Sequence, residues 1–308
     1  MEIDYSIIGT EIFLVIMAMF LLLVGAFQRP QSKISKINLI STAKKQPLHG
    51  SFVNLLSELS LVIALISIFL IQSDLLTAFG NSFIVDDYSR FAKILILLSA
   101  LLCLIVSRPW QVSEKLTLFE YPILILFACI GMLIMVSAND LIVLYMGLEL
   151  QSLSLYVLAT IQRDNARASE AGLKYFILGA VASGLILFGS SLLYGFSGTT
   201  NFIELAHALN HLNTNLLPGI TVGLVFLLCG LAFKISAVPF HMWTTDVYQG
   251  APTSVTAFFA VAPKIAALIL IVRVMTQVFG DVADLWQNII LIISIASMIF
   301  GAFAALMQ

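Results

Sequence analysis

Long apolar runs alternate with short polar loops along the whole chain. A helix needs about 20 mostly apolar residues to cross the hydrocarbon core of a bilayer. Nine such helices are predicted, over 6–27, 52–72, 90–107, 118–137, 141–160, 171–195, 218–243, 253–275 and 288–307. The turn between the fourth and fifth is only Ala138-Asn139-Asp140, which makes those two helices antiparallel neighbours. Residues 199–216 are too polar to cross and suit a short helix lying on the surface. Val238-Pro239 interrupts the seventh run, because proline removes a helical hydrogen bond and clashes with the preceding turn.

Composition secures the membrane reading. Of 308 residues 60% are hydrophobic and 10% charged, with a mean hydropathy of +1.03. Soluble domains carry roughly 25% charged residues. A net charge of −2 offers no basic surface for nucleic acid. The first helix follows Glu2 and Asp4, where a secretory signal would be basic, and is expected to be retained. Cys103, Cys129 and Cys229 lie far apart in apolar runs, so packing is expected and neither zinc nor iron–sulfur ligation. No glycine-rich phosphate-binding motif is present.

Loop charge sets an orientation. Arg29, Lys33, Lys36, Lys44 and Lys45 follow the first helix, Arg108 and Lys115 the third, and Arg163 and Arg167 the fifth. These alternate loops are expected on the cytoplasmic side. The opposite loops carry Asp74, Asp86, Asp87, Asp140, Glu204, Asp281 and Asp284, with Arg90 at a helix edge, which puts the N-terminus outside.

Against this background four ionisable residues stand inside apolar spans: Glu149, Lys174, Lys234 and Lys264. A charge at bilayer depth costs at least about 2.5–3.5 kcal/mol, so such residues mark ion or proton pathways or buried charge networks. Lys234 lies beside the Val238-Pro239 break, where freed carbonyls call for water or polar partners. Ser236, Thr244, Thr245 and His241 add polar groups there, and Pro263 precedes Lys264 and is expected to kink its helix. Glu149 is the natural partner for Lys234, or for Lys174. Lys93, Arg273 and Glu120 are expected to snorkel from helix ends; Glu58 is open. His207 and His211 share a helical face, but lack a third ligand for a metal.

Three segments carry a resemblance. ANDLIVLYMGLELQSLSLYVLA, RDNARASEAGLKYFILGA and GLAFKISAVPFHMWTTDVYQGAPTSVTAFFAVAPKIAAL resemble the subunit N family of proton-translocating NADH:quinone oxidoreductase, respiratory complex I. The likeness is dense over 115–275 and weak in the first three helices. That family belongs to the antiporter-like membrane subunits, related to sodium–proton antiporters. The resemblance implies an all-α, polytopic transmembrane bundle with an inverted-repeat fold and a broken seventh helix, about nine helices being present of about fourteen. It implies three parts: N-terminal helices in 1–117, a first repeat in 118–275 and the start of a second in 276–308.

The function so implied is proton translocation through Glu149, Lys174, Lys234, His241 and Lys264, coupled to quinone reduction elsewhere in the complex. NAD, FMN, iron–sulfur clusters and quinone are expected in partner subunits, with no cofactor or metal in this chain. The expected partners are the other membrane subunits and lipids, in a hetero-oligomer in the bacterial cytoplasmic (inner) membrane; the mitochondrial inner membrane is the lesser expectation. The stop after the ninth helix reads as a truncation, which would leave Lys264 facing lipid or an empty groove. A sodium–proton antiporter subunit, or a truncated, non-conducting structural element, stands as the alternative.

Overall fold

A computed structural model describes residues 5–27, 48–70, 75–113, 118–210 and 216–307. Eleven helices are found among them: α1 (Gly9–Phe27), α2 (Leu48–Leu70), α3 (Asp87–Ser113), α4 (Glu120–Val136), α5 (Leu141–Ala159), α6 (Ala166–Ser197), α7 (Phe202–Asn210), α8 (Leu217–Ile235), α9 (Met242–Gly250), α10 (Thr253–Gln277) and α11 (Gln287–Leu306). Eight are long and apolar enough to cross a membrane, and α4 is a shorter apolar helix of 17 residues. Each of the nine expected spans therefore has its helix. The seventh is divided into α8 and α9, as the proline predicts.

The all-α expectation needs one addition. Strands β1 (Leu76–Ala78) and β2 (Phe83–Val85) form a small antiparallel hairpin before α3. Its turn places Phe79, Gly80 and Asn81 at positive φ. The hairpin is stitched to the α4–α5 turn: Ile84 N–H donates to Ser137 O and Asn139 N–H to Ser82 O, both at 2.9 Å. The turn in turn holds the segment before α7, through Leu141 N–H to Thr200 O and Phe202 N–H to Asn139 O. Loop backbone at one end of the bundle thus satisfies its own polar groups. Helix α7 is short and buries Phe202, Leu205 and Leu209 along one face, as expected for a surface helix.

Helices α4 and α5 pack at backbone contact. A Cβ on Gly147 would stand 2.7 Å from the Met135 amide nitrogen and 2.9 Å from Gly131 O. One on Gly131 would strike the Gln151 amide nitrogen. Gly189 and Gly223 serve the same purpose between α6 and α8. Small residues let membrane helices approach closely where the hydrophobic effect between helices is absent. The core draws buried residues from each of α1–α10, whereas α11 has no buried residue.

Several charged residues depart from expectation. Lys93 does not snorkel: its Nζ lies 2.6 Å from Glu11 Oε1, both side chains 3% exposed, and joins α3 to α1. Arg273 does not snorkel either. Its fully buried guanidinium donates to Asp86 Oδ1 at 2.6 Å and lies over the Tyr88 ring. Hydropathy registers each charge alone, whereas a nearby opposite charge removes the reason to reach for water. Helix α3 extends beyond the expected end at 107, so Arg108 is a helical residue paired with Glu58 of α2. Glu120 opens α4, at the helix end where it was expected. The basic residues between Arg29 and Lys45, and Lys115, Asp74 and His211, lie outside the described residues. The described residues hold no cluster of three metal-ligating side chains, and Cys103, Cys129 and Cys229 are unpaired.

Asp86 lies just outside the α3 span. Burial pushes its carboxyl up. Hydrogen bonds from Arg273 and from the Ser89 amide, with the Arg273 charge, more than reverse this and hold it below the ordinary aspartate value.

Candidate functional site

The site is assembled at the break between α8 and α9. Helix α8 ends in a reciprocal cap: Ser236 N–H donates to Phe233 O at 3.0 Å, and Ala237 N–H to Ala232 O at 2.9 Å. Ser236 takes the left-handed conformation that this cap requires, at φ 62°. The Trp243 indole N–H donates to the same Phe233 carbonyl at 3.1 Å. From the far side, Ser297 Oγ of α11 accepts the Val238 N–H at 3.0 Å. Amides 236–238 and the Ala232 and Phe233 carbonyls at the break therefore have hydrogen-bond partners.

Lys234 occupies the last turn of α8. Its Nζ donates to Ser152 Oγ of α5 at 2.8 Å, and Ser152 donates to Leu148 O at 2.6 Å. Glu149, the expected partner, stands one turn before Ser152. No contact ion pair joins Glu149 to Lys234 among the described residues, and Glu149 Oε1 is buried without a protein hydrogen bond. The direct partner is thus a hydroxyl, with the carboxylate behind it.

Lys174 belongs to a different group. Helix α6 begins at Ala166, before the expected start, so Lys174 lies about two turns inside it. Its Nζ is 2.6 Å from Asp246 Oδ2 of α9 and 2.8 Å from Glu170 Oε1 of its own helix. Of the two lysines offered as partners for Glu149, Lys174 makes its contacts with Asp246 and Glu170 instead. These residues line an open cleft with Arg167, Ala171, Gln249 and Gly250.

Lys264 sits on α10 with Nζ 5.3 Å from the centre of the Tyr248 ring of α9. It lies over an aromatic ring of its own fold, on the short helix that precedes α10. Helix α10 runs unbroken through Pro263. His241 stands at the start of α9 with its ring 4.3 Å from that of Phe300. Its Nδ1 is buried without a hydrogen-bond partner.

The sequence-predicted residues thus form three local groups on five helical segments: Lys234 with Ser152 and Glu149, Lys174 with Asp246 and Glu170, and Lys264 with Tyr248. Asp246 is the residue that sequence reasoning passed over. The available signal was an acid in a short segment between two apolar runs, within DVYQGAP.

Residues 138–308 match the family model described as NADH:quinone oxidoreductase/Mrp antiporter, transmembrane. Subunit N of NADH-quinone oxidoreductase from Paramagnetospirillum magneticum is 50% identical over 303 residues, covering 97% of this chain and 58% of the relative. The Rhodospirillum rubrum subunit N is 52% identical over 300 residues, with the same coverage of each chain. Among solved structures, respiratory complex I from Thermus thermophilus with bound aureothin contains a chain matching at 33% identity and a TM-score of 0.68. That match covers 86% of this chain and 52% of the other. A chain of the Mrp complex from a Dietzia species shares the fold at 20% identity and a TM-score of 0.77, covering 99% and 55%. The chain spans somewhat more than half the length of these relatives. A polytopic helical bundle, a lysine at a broken helix and a family model matching more than half of its length agree: the chain belongs to the NADH:quinone oxidoreductase/Mrp antiporter transmembrane family.

Proposed function

We propose that this chain is part of a proton-translocating membrane subunit of a respiratory NADH:quinone oxidoreductase, with Lys234 as its proton-carrying centre. The observation that carries the reading is the Lys234–Ser152 contact at the α8–α9 break, with Glu149 one turn away. An ammonium in that position has a hydroxyl to hold it and a carboxylate to bias its charge. Movement of either changes how readily it gives up a proton. Lys174, His241 and Lys264 are the further proton-transfer candidates along α6, α9 and α10. Relatives near 50% identity are named NADH-quinone oxidoreductase subunit N, which favours this reading over an antiporter that works without a redox partner.

The chemistry of electron transfer belongs, in this reading, to partner subunits that carry NAD, FMN, iron–sulfur clusters and quinone. Neighbouring subunits and lipids cover the apolar surface. The membrane is the bacterial cytoplasmic membrane, with the hairpin end outside and the Lys174 cleft inside. In the full-length subunit within its complex, Lys234→Ala reduces quinone-linked proton pumping while the complex still assembles. Unchanged pumping in an intact complex refutes the assignment.

A further inference from the structure

The Lys174–Asp246 pair and the aromatic residues beside it connect the same two helices. Directly after Lys174, Tyr175 stacks on Trp243 with ring centres 4.6 Å apart and planes at 9°. Trp243 stands three residues before Asp246, so α6 and α9 meet twice within one turn. The first contact is half-exposed: Lys174, Asp246 and Glu170 are 43%, 51% and 64% exposed. The second is buried, with Tyr175 5% and Trp243 4% exposed.

Beyond the stack the fold leads toward Lys234. Tyr156 packs edge-on against Tyr175, with centroids 4.8 Å apart. It lies one turn along α5 from Ser152, which holds the Lys234 ammonium. Gly179 leaves the space that the Tyr156 hydroxyl fills. The hydroxyls of Tyr156, Thr244 and Ser236 are buried without a protein partner. Buried polar atoms of this kind are satisfied by ordered water. The Tyr175–Trp243 stack thus links the cleft residue Lys174 to the Phe233–Lys234 turn, and the buried hydroxyls of Tyr156, Thr244 and Ser236 lie on α5, on α9 and at the end of α8.

We propose that the Lys174–Asp246 ion pair and the Tyr175–Trp243 stack form a two-part gate, in series, between the polar cleft and Lys234. The gate rests on the reading of Lys234 as a proton carrier. A half-exposed ion pair is weak, so it biases the position of α9 without locking it. Because Trp243 also holds the Phe233 carbonyl at the end of α8, displacing α9 disturbs the Lys234 turn as the stack parts. Opening and repositioning of the lysine are one movement.

The test uses the full-length subunit in its complex, in inverted membrane vesicles, with Ser152→Cys as the only cysteine of that subunit. A membrane-impermeant maleimide is added on the Lys174 side. Asp246→Asn and Lys174→Met each raise the labelling rate about two- to fivefold, the range that loss of a weak exposed pair allows. The charge-exchanged Lys174→Asp/Asp246→Lys double variant returns to the starting rate. Trp243→Ala raises labelling further, and Trp243→Phe, which keeps a ring, raises it less. Equal labelling in the parent, Asp246→Asn and Lys174→Met overturns the gate, even where Lys234→Ala abolishes pumping. Increased labelling beside unchanged pumping in Lys234→Ala keeps the barrier and overturns the proton-carrying role instead.

Discussion

The Lys234 ammonium lies 2.8 Å from the Ser152 hydroxyl, and that hydroxyl is itself anchored on the Leu148 carbonyl. Ser152→Ala removes the one protein hydrogen bond that this lysine makes among the described residues. Hydrogen bonds to charged groups are worth about 1.5–3 kcal/mol, so the effect on proton transfer is expected to be large. Pumping falls by at least about tenfold, and Ser152→Thr restores most of it. Equal pumping in Ser152→Ala and wild type would show that the contact is incidental.

In the proposed function Glu149 influences Lys234 by its charge, without a contact ion pair among the described residues, so the carboxylate rather than its shape matters. Glu149→Asp is therefore milder than Glu149→Ala. Glu149→Gln, which keeps the shape and loses the charge, resembles Glu149→Ala. Proton-pumping rates in assembled complexes check the order, and wild-type pumping by Glu149→Gln contradicts it.

The Arg273–Asp86 pair ties α10 to the hairpin end of α3. Removing one partner of a buried pair typically costs about 3–5 kcal/mol. Asp86→Asn therefore lowers the thermal midpoint in detergent, and Arg273→Lys, which loses the fork geometry, lowers it by less. The pH dependence follows from the lowered Asp86 value. Its stabilisation is complete above the ordinary aspartate value, about 3.9. It is lost as pH falls through the lower folded value. Wild type and Asp86→Asn accordingly differ least at the acid end, below about pH 3.9. A difference that instead grows toward low pH would contradict the pairing.

Gly147→Ala places a methyl group against the backbone of α4. Overpacking of this kind costs about 1–3 kcal/mol. The helices must separate, and Glu149 and Ser152 move with α5, so both stability and pumping fall. Gly184→Ala, where a Cβ meets nothing within 4 Å, is the control and is neutral. A neutral Gly147→Ala would mean that α4 and α5 yield more easily than their packing implies.

Hydropathy, proline and isolated charges were enough to identify the nine helices, the break at Val238-Pro239 and the places of Glu149, Lys234 and Lys264 on apolar helices. Each of these is a property of one short segment. Desolvation of an apolar run and loss of a helical hydrogen bond do not depend on what lies across the bundle. Pairing does. Asp246 is 72 residues from Lys174, and Asp86 is 187 from Arg273; only helix packing brings them together. Lys93 and Arg273 read as snorkelling because hydropathy weighs each cation against lipid, with no account of a carboxylate on another helix. The rotation of α5 likewise decided that Lys234 meets Ser152 before Glu149, residues less than one turn apart in sequence. The sequence by itself thus determined where the chain crosses a membrane and which charges it carries there. Tertiary structure decided which of those charges meet, because an ion pair is an energy of two residues and periodicity describes only one.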